Sequence, residues 1–479
     1  MNQFSKIAPL QLETPRLSTE WFEEPFLTFA DGEIHSDPKI GIPLYGPRSL
    51  GTIRHKNEMH LGFIGTAEGI EQGQAFYEDC ANGIDGDEDH APFPGCGVDV
   101  GFCSKLRMSS NLFEPITRQE RLQILSIRNS RERFEAMLGL LQSKMDMLTR
   151  RDSPLDYISV VLPKDLYDEC RVTEYKQKGI GEIHRDLRRA FKAVSMQFKK
   201  PTQILHETTT TGISSREKKL DHKSRIAWNL FTGLYFKVDG LPWGPVGLPP
   251  ASCFIGISFF RPLGSSSTLH TSIAQAFDEN GEGLILRGRN FEWDEEKLGK
   301  SPHLTAEMAE ELVTMVLEQY GQERKQLPRR VVIHKSSRYE PDEREGFDQA
   351  LKSVPEYDLV ALAPNSNVRL VRAGKYPPLR GTSFTVGDVS YLYTNGYLPS
   401  LAAYPHGHVP SPLQIADHVG DTSRKQLLRE IMILTKMNWN SADMSGLMPI
   451  TLKFSRLVGD ILKEVDPNVI PEPKYKYYI

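Results

Sequence analysis

Cysteine is scarce in this sequence, and its scarcity closes off two readings at once. The five present, Cys80, Cys96, Cys103, Cys170 and Cys253, are odd in number and form no CxxC pair, so neither a disulfide framework nor a zinc site built on cysteine is expected. An excess of one charge is also missing. Lysine and arginine total 58 against 62 aspartate and glutamate, giving a formal net charge of −4 and a pI of about 6.4, so any basic site has to be a local groove. No run approaches the roughly 20 apolar residues that cross a bilayer as a helix. The opening MNQFSKIAPLQLETPRL lacks the charged-then-apolar pattern of a signal peptide, so no membrane partner and a cytoplasmic location are expected. Neither GxGxxG nor a Walker loop occurs, which argues against an NAD or nucleotide site within the chain. Internal repeats and low-complexity tracts are absent as well.

What remains is length and patterning. A chain of 479 residues and 54.2 kDa exceeds one compact core and suggests two or three domains. The stretch 224 to 261, SRIAWNLFTGLYFKVDGLPWGPVGLPPASCFIGISFFR, organises the rest. Ile226, Leu230 and Leu234 share one helical face that ends at Lys237, and Gly240, Pro242, Gly244 and Pro245 forbid its continuation. The apolar run 253 to 260 then suits a short strand buried on both faces. A hinge between two α/β lobes is the economical reading.

Before the hinge, residues 1–55 read as an irregular lead-in with one or two strands. Strands are expected at 61–65, 97–103, 157–163 and 201–205, and helices at 70–82, 118–149 and 182–199, the strand-helix rhythm of a parallel sheet. A polar linker follows at 206–224. The run Asp85, Asp87, Glu88, Asp89 and His90 reads as a solvated loop, since it lacks the mid-loop glycine and final glutamate of a calcium loop. Beyond the hinge come extended segments at 271–276 and 284–288 and strands at 330–334, 357–363 and near 368 and 383. Helices are expected at 305–320, 342–353, 423–435 and 451–463, so the second lobe is a mixed sheet with helices on both sides.

Two constellations carry chemistry. Arg188 and Lys192 lie one helical turn apart, Gln203 follows the return to the sheet, and Lys237 ends the next helix. Such a set can hold a terminal phosphate, arginine taking two oxygens at once. From spacing alone the same basic residues, with Arg189, suit a solvated face beside Leu187, Phe191 and Val194. The second constellation is an absence. A two-metal nuclease needs carboxylates on its first strand and the neighbouring elements, yet the central strand carries Ser258 and its neighbour VVIHKSS ends in Lys335 and Ser336. Glu292, Asp294 and Asp443 are the remaining candidate acids of that lobe.

RxxxK at 188–192, PTQIL at 201–205 and the helix ending in Lys237 before GLPW, followed in order by CFIGISFF, PRRVVIHKSS, YLYTNGYLP, YPHGHVPSPLQI and MNWNSADMSGLMPIT, resemble the prokaryotic Argonautes, specifically the short forms built of MID and PIWI domains. The resemblance covers about nine-tenths of the chain and is clearest from Ile183 onward. It implies an α/β chain with a Rossmann-like MID domain at 56–238 and a ribonuclease H-like PIWI domain at 239–479. It implies a pocket for a guide 5′ phosphate at Arg188, Lys192, Gln203 and Lys237, with Arg188 where tyrosine or histidine is usual. Mg2+ is expected there between Gln203, the phosphate and the C-terminal carboxylate of Ile479. Active members carry acids where this chain has Ser258 and Ser336, so binding without cutting is implied, with no catalytic residue and with Arg261, Lys335, Arg338 and Arg369 offered to the duplex. The implied partners are a 5′-phosphorylated guide RNA, single-stranded target DNA and an APAZ-containing effector protein, whose TIR, sirtuin-like or nuclease activity acts against plasmids or phage. The alternatives are an active nuclease built on Glu292, Asp294, Asp443 or another carboxylate set, and a scaffold with no nucleic-acid role.

Overall fold

The computed structural model describes residues 17–178, 181–213, 220–264, 269–299, 301–364, 367–399, 404, 409–444, 446–465, 469 and 471–479. The first lobe grows from its most apolar strand, Tyr157–Leu162, which is buried at all six positions. It pairs in parallel with Thr202–His206 on one side and Glu58–Gly65 on the other, and Lys105–Arg107 and Phe113–Pro115 pair with Glu58–Gly65, also in parallel. Helix Ser130–Thr149 lays Phe134, Met137, Leu138 and Leu141 against Ile158, Val160 and Leu162, joined by Leu187, Ala190 and Phe191 of helix Leu187–Ser195. This is the Rossmann-like half of the α/β fold.

The second lobe carries a nine-stranded sheet. Ser252–Phe260, Leu269–Asp278 and Gly283–Glu292 form an antiparallel meander, and Arg330–Lys335 and Glu356–Ala363 follow in parallel on the other side of Ser252–Phe260. That order is ribonuclease H-like. Leu413–Val419, Val389–Leu392, Thr382–Val386 and Leu17–Trp21 extend the sheet antiparallel to its far edge. Helices Ala306–Arg324 and Pro341–Ala350 pack on one face around Leu312, Val316, Ile333 and Phe347. Helix Ile450–Leu462 covers the other face so closely that a Cβ on Gly256 stands 2.0 Å from the Thr451 carbonyl oxygen. Gly256→Ala is therefore expected to lower the unfolding free energy by roughly 1–3 kcal/mol as backbone is pushed aside. Urea denaturation followed by circular dichroism checks this, and an unchanged midpoint contradicts so close an approach.

The structure departs from the pattern-based expectations in several places, each for a local reason. The helix expected over 118–149 is two, Arg118–Ser126 and Ser130–Thr149, because Thr117 and Asn129 each cap a helix start. The strand expected at 97–103 is a tight hairpin of Cys96–Gly97 and Val100–Gly101, turned at Val98 and Asp99, with Gly101 opposite Cys96 at φ +60°. Residues 182–186 belong to strand Gly181–Asp186, paired with Val172–Gln177, and the basic helix starts only at Leu187, where the Asp186 carboxylate accepts from the Arg189 amide at 3.1 Å. The linker at 206–224 contains helix Glu207–Thr211, and its residues 214–219 lie outside the described set. Val368 is in no strand. The lead-in does not stand apart: Leu17–Trp21 joins the nine-stranded sheet, and Leu27–Thr28 pairs with Gly244–Pro245 at the hinge. Residues 405–408 of YPHGHVPSPLQI and Ser445 of MNWNSADMSGLMPIT lie outside the described residues, as do residues 1–16.

Candidate nucleic-acid interface

Two helices of the first lobe deliver cations to one place. Lys192 projects from helix Leu187–Ser195 and Lys237 from the last turn of helix Lys223–Lys237, and they are only 2% and 1% exposed. The Lys192 amine donates to the main-chain oxygens of Thr202 and Ile479. The Lys237 amine donates to Gln203 Oε1 at 2.8 Å and to the same Thr202 oxygen at 3.3 Å. Arg188 is exposed and lines, with Gln203, a cleft of about 400 Å³ beside them. The structure thus brings Arg188, Lys192, Gln203, Lys237 and Ile479 together, and it buries the two lysines rather than setting them on a solvated face.

Cations outnumber anions in this cluster, where Lys192 holds the oxygen of Ile479. Among the described residues no carboxylate side chain acts on Lys192 or Lys237, and Asp186 is the acid that acts on Arg188. Burial first, then the Arg188 charge, pushes Lys237 down to about 7. Burial, then Lys237 and Arg188, holds Lys192 well below the usual lysine range. Buried amines crowded by like charge are costly as cations unless an anion joins them. The pocket is built to receive negative charge.

The same cleft has walls that pattern reading missed. Tyr167 and Arg171 come from the end of helix Lys164–Cys170, and His206 stands edge-on to Tyr167 with ring centres 4.2 Å apart. Asn229 comes from helix Lys223–Lys237, and Asn440 reaches in from the second lobe. The four-residue spacing of Tyr167 and Arg171 is visible in the sequence, whereas the convergence of Asn440 is set only by tertiary folding.

A second, larger cleft of about 1280 Å³ lies between the lobes. Gly256 pairs with His334 across two parallel strands, so Ser258 and Ser336, each two residues further on, come level at the same ends of neighbouring strands. Both line this cleft, with Arg189, Arg261, Lys453, Arg456 and Lys463 around them. The Ser258 hydroxyl is buried and has no hydrogen-bond partner among the described residues. The carboxylates on this wall are engaged: Glu295 with Arg261 at 2.6 Å, Asp460 with Lys463 at 2.8 Å and Arg189 at 3.2 Å, and Glu182 with Lys176 at 3.5 Å. Glu292, Asp294 and Asp443 do not line it. Asp294 caps helix Glu295–Leu298 and pairs with Lys297 at 2.9 Å, while Asp443 is held by Lys39 at 2.8 Å and Arg225 at 3.0 Å.

One expected groove cation is corrected. Lys335 is 1% exposed and paired with the buried Glu343, because its strand is covered on both faces and Lys335 faces helix Pro341–Ala350. Arg338 and Arg369 are exposed but stand outside the cleft wall, whereas Arg261 is on it. The basic residues of helix Ile450–Leu462, Lys453 and Arg456, take the place that Lys335 was expected to fill.

Neither a family model nor a curated protein sequence matches this chain. Solved structures do. Clostridium butyricum Argonaute, bound to a guide DNA and a 19-mer target DNA, is similar over 96% of this chain and 55% of its own, with a TM-score of 0.65 and 16% identity. Drosophila Piwi is similar over 96% of this chain and 56% of its own, at 0.62 and 12%. A. aeolicus Argonaute is similar over 94% and 54%, at 0.58 and 15%. The chain spans little more than half the length of the solved structures it matches. Taken with the sheet orders described above, these likenesses show that the chain has an Argonaute-like fold.

Proposed function

We propose that this chain binds a 5′-phosphorylated guide RNA and uses it to recognise complementary single-stranded DNA without cutting it. The observation that carries this reading is the buried cluster of Lys192 and Lys237, with Arg188 at its mouth and no carboxylate side chain acting on either lysine. A phosphate monoester brings close to two negative charges at neutral pH, and it supplies what the cluster lacks. Gln203 Oε1 and the Ile479 oxygen are hard donors of the kind Mg2+ takes, gathered by the two lysines around the Thr202 oxygen, so they fit such an ion. Bound there with phosphate oxygens, the ion would neutralise charge between two anions.

The absence of cutting rests on Ser258 and Ser336. Neutral hydroxyls do not clamp two magnesium ions, and the acids on the same wall are already paired to cations. Duplex binding needs only phosphate contacts and shape, which Arg261, Lys453 and Arg456 on the cleft wall supply. The enzymatic output then belongs to a partner, in keeping with the resemblance to short Argonautes: an APAZ-containing effector, a TIR or sirtuin-like NAD hydrolase or a nuclease, that acts against plasmids or phage when the target is sensed.

Nucleic acid extracted from the purified protein is expected to be short RNA with 5′ phosphates. Protein loaded with such a guide is expected to retain a complementary DNA strand and leave it intact with magnesium or manganese. Cutting opposite the guide overturns the inactive reading in favour of a nuclease with another carboxylate set. Failure to retain either strand leaves the scaffold reading.

A further inference from the structure

The acidic run at 85–90 and the start of helix Lys223–Lys237 lie far apart in sequence and meet in the structure. Asp87, His90 and His222 each offer a ligand atom, and these atoms all lie within 4.8 Å of one another. It is the one such group of three among the described residues. The His90 and His222 rings stack at 4.7 Å, His90 Nδ1 lies 2.7 Å from Asp87 Oδ1, and His222 Nε2 lies 3.7 Å from Asp87 Oδ2.

Both halves of the cluster are fixed. Ile84 and Phe93 close the loop with a pair of main-chain hydrogen bonds, and the Asp87 amide donates to the His90 oxygen at 3.0 Å. Trp228, on the helix that His222 caps, donates its indole N–H to the Pro92 oxygen at 3.0 Å and stacks edge-on against Phe93. His222 Nδ1 accepts the Ser224 amide at 3.3 Å as the helix cap and lies 2.9 Å from the Ser224 hydroxyl, which leaves Nε2 as the ring atom turned toward Asp87. The neighbouring cations are engaged elsewhere, Lys223 by Asp79 and Arg225 by Asp443 and Asp221.

We infer that Asp87, His90 and His222 form a binding site for a divalent transition metal of the zinc type, which staples the 84–93 loop to the start of helix Lys223–Lys237. Two imidazoles and one carboxylate are a common zinc set, with water taking the fourth tetrahedral position. Imidazole donors select against calcium and magnesium, which take oxygen. Zinc–ligand bonds of about 2.0–2.1 Å place tetrahedral ligands about 3.4 Å apart, so side-chain rotations of about 1 Å close the site. The inference stands apart from the guide-binding reading, since none of the three residues belongs to the phosphate pocket or the interlobe cleft.

The full chain, stripped of metal and dialysed against Zn2+, is expected to retain one equivalent in the presence of excess Ca2+. Co2+ in place of Zn2+ is expected to give the intense visible absorption of a tetrahedral site. His90→Ala and His222→Asn are each expected to weaken Zn2+ binding by about a hundredfold, at the upper end of what even outer-shell changes cost. Asparagine at 222 keeps a helix-capping side chain, so the fold is retained while the ligand is lost. Glu88→Ala, an exposed acid on the same loop, is expected to leave the affinity unchanged. Substoichiometric binding by the parent protein, or an equal loss in Glu88→Ala and His222→Asn, overturns the assignment.

Discussion

Alanine at Lys192 or Lys237 is expected to weaken binding of a 5′-phosphorylated guide by about ten- to a hundredfold, because a charge-assisted contact is worth roughly 1.5–3 kcal/mol. A guide ending in a 5′ hydroxyl should lose little, and that contrast separates a phosphate contact from a lysine that only braces Thr202 and Ile479. Equal losses for both guides remove the pocket from the reading. The two variants share one cluster, so the double variant should lose less than the product of the single losses.

The same pocket predicts a pH dependence with a definite sign. In the free protein Lys237 holds its proton only below about 7. A bound phosphate draws the amine back toward its ordinary value near 10.4. Binding therefore takes up a proton between those limits, and guide affinity falls as pH rises above about 7, by at most about tenfold per pH unit for one proton. Lys237→Met should remove its share of that slope and leave the share of Lys192, which burial also lowers, and fluorescence titrations across the range can read the difference. Without guide the sign reverses for folding. The unfolded lysine binds a proton that the buried one refuses, so the stability of the free protein rises as pH climbs from about 7 to about 10.

Arg330→Met is expected to cost about 3–5 kcal/mol of stability, the penalty for removing one partner from a buried ion network. Its guanidinium bonds Asp358 at 2.8 and 3.1 Å and Glu430 at 2.7 and 3.1 Å, and the three residues are 3%, 1% and 3% exposed. Burial alone raises a carboxyl, yet hydrogen bonds from His418, Thr422 and Arg330 hold Asp358 down to about 2. A carboxyl lowered by folding stabilises above its unfolded value near 3.9 and loses that contribution as pH falls toward 2. The variant should therefore unfold at a higher pH on acid titration as well as at lower denaturant. Glu430→Gln added to Arg330→Met should recover part of the loss. A change below about 1 kcal/mol in the single variant shows that the network contributes little.

How much of this is legible in the sequence depends on whether burial announces itself locally. The Ser258 strand does so, since an apolar run between glycine-rich turns has few other fates. Hairpin Val172–Asp186 does not: Glu174, Lys176, Glu182 and His184 are exposed, so the strand blends into the helix that follows. Leu17–Trp21 is exposed at every position, and the partner that makes it a strand, Thr382–Val386, lies in the other lobe far along the chain. The pocket is legible in part. RxxxK places Arg188 and Lys192 on one face, but spacing does not tell which way a face points, and here it turns Lys192 inward and leaves Arg188 outside. The pairing of His222 with the acidic loop leaves no local trace, being held through Trp228 and Phe93.

The two ends of the described chain change what the hinge at residues 238–245 can do. The strand Leu17–Trp21 lies along the outer edge of the second lobe, while Ile479, in that lobe's numbering, is gripped by Lys192 of the first. Each half thus holds a piece of the other, as in a clasp. Separated fragments are not two modules: residues 56–238 on their own leave Lys192 without its Ile479 acceptor, and residues 239–479 leave Thr382–Val386 as a bare sheet edge open to unwanted strand pairing. A protease that nicks only the hinge leaves the halves interlocked.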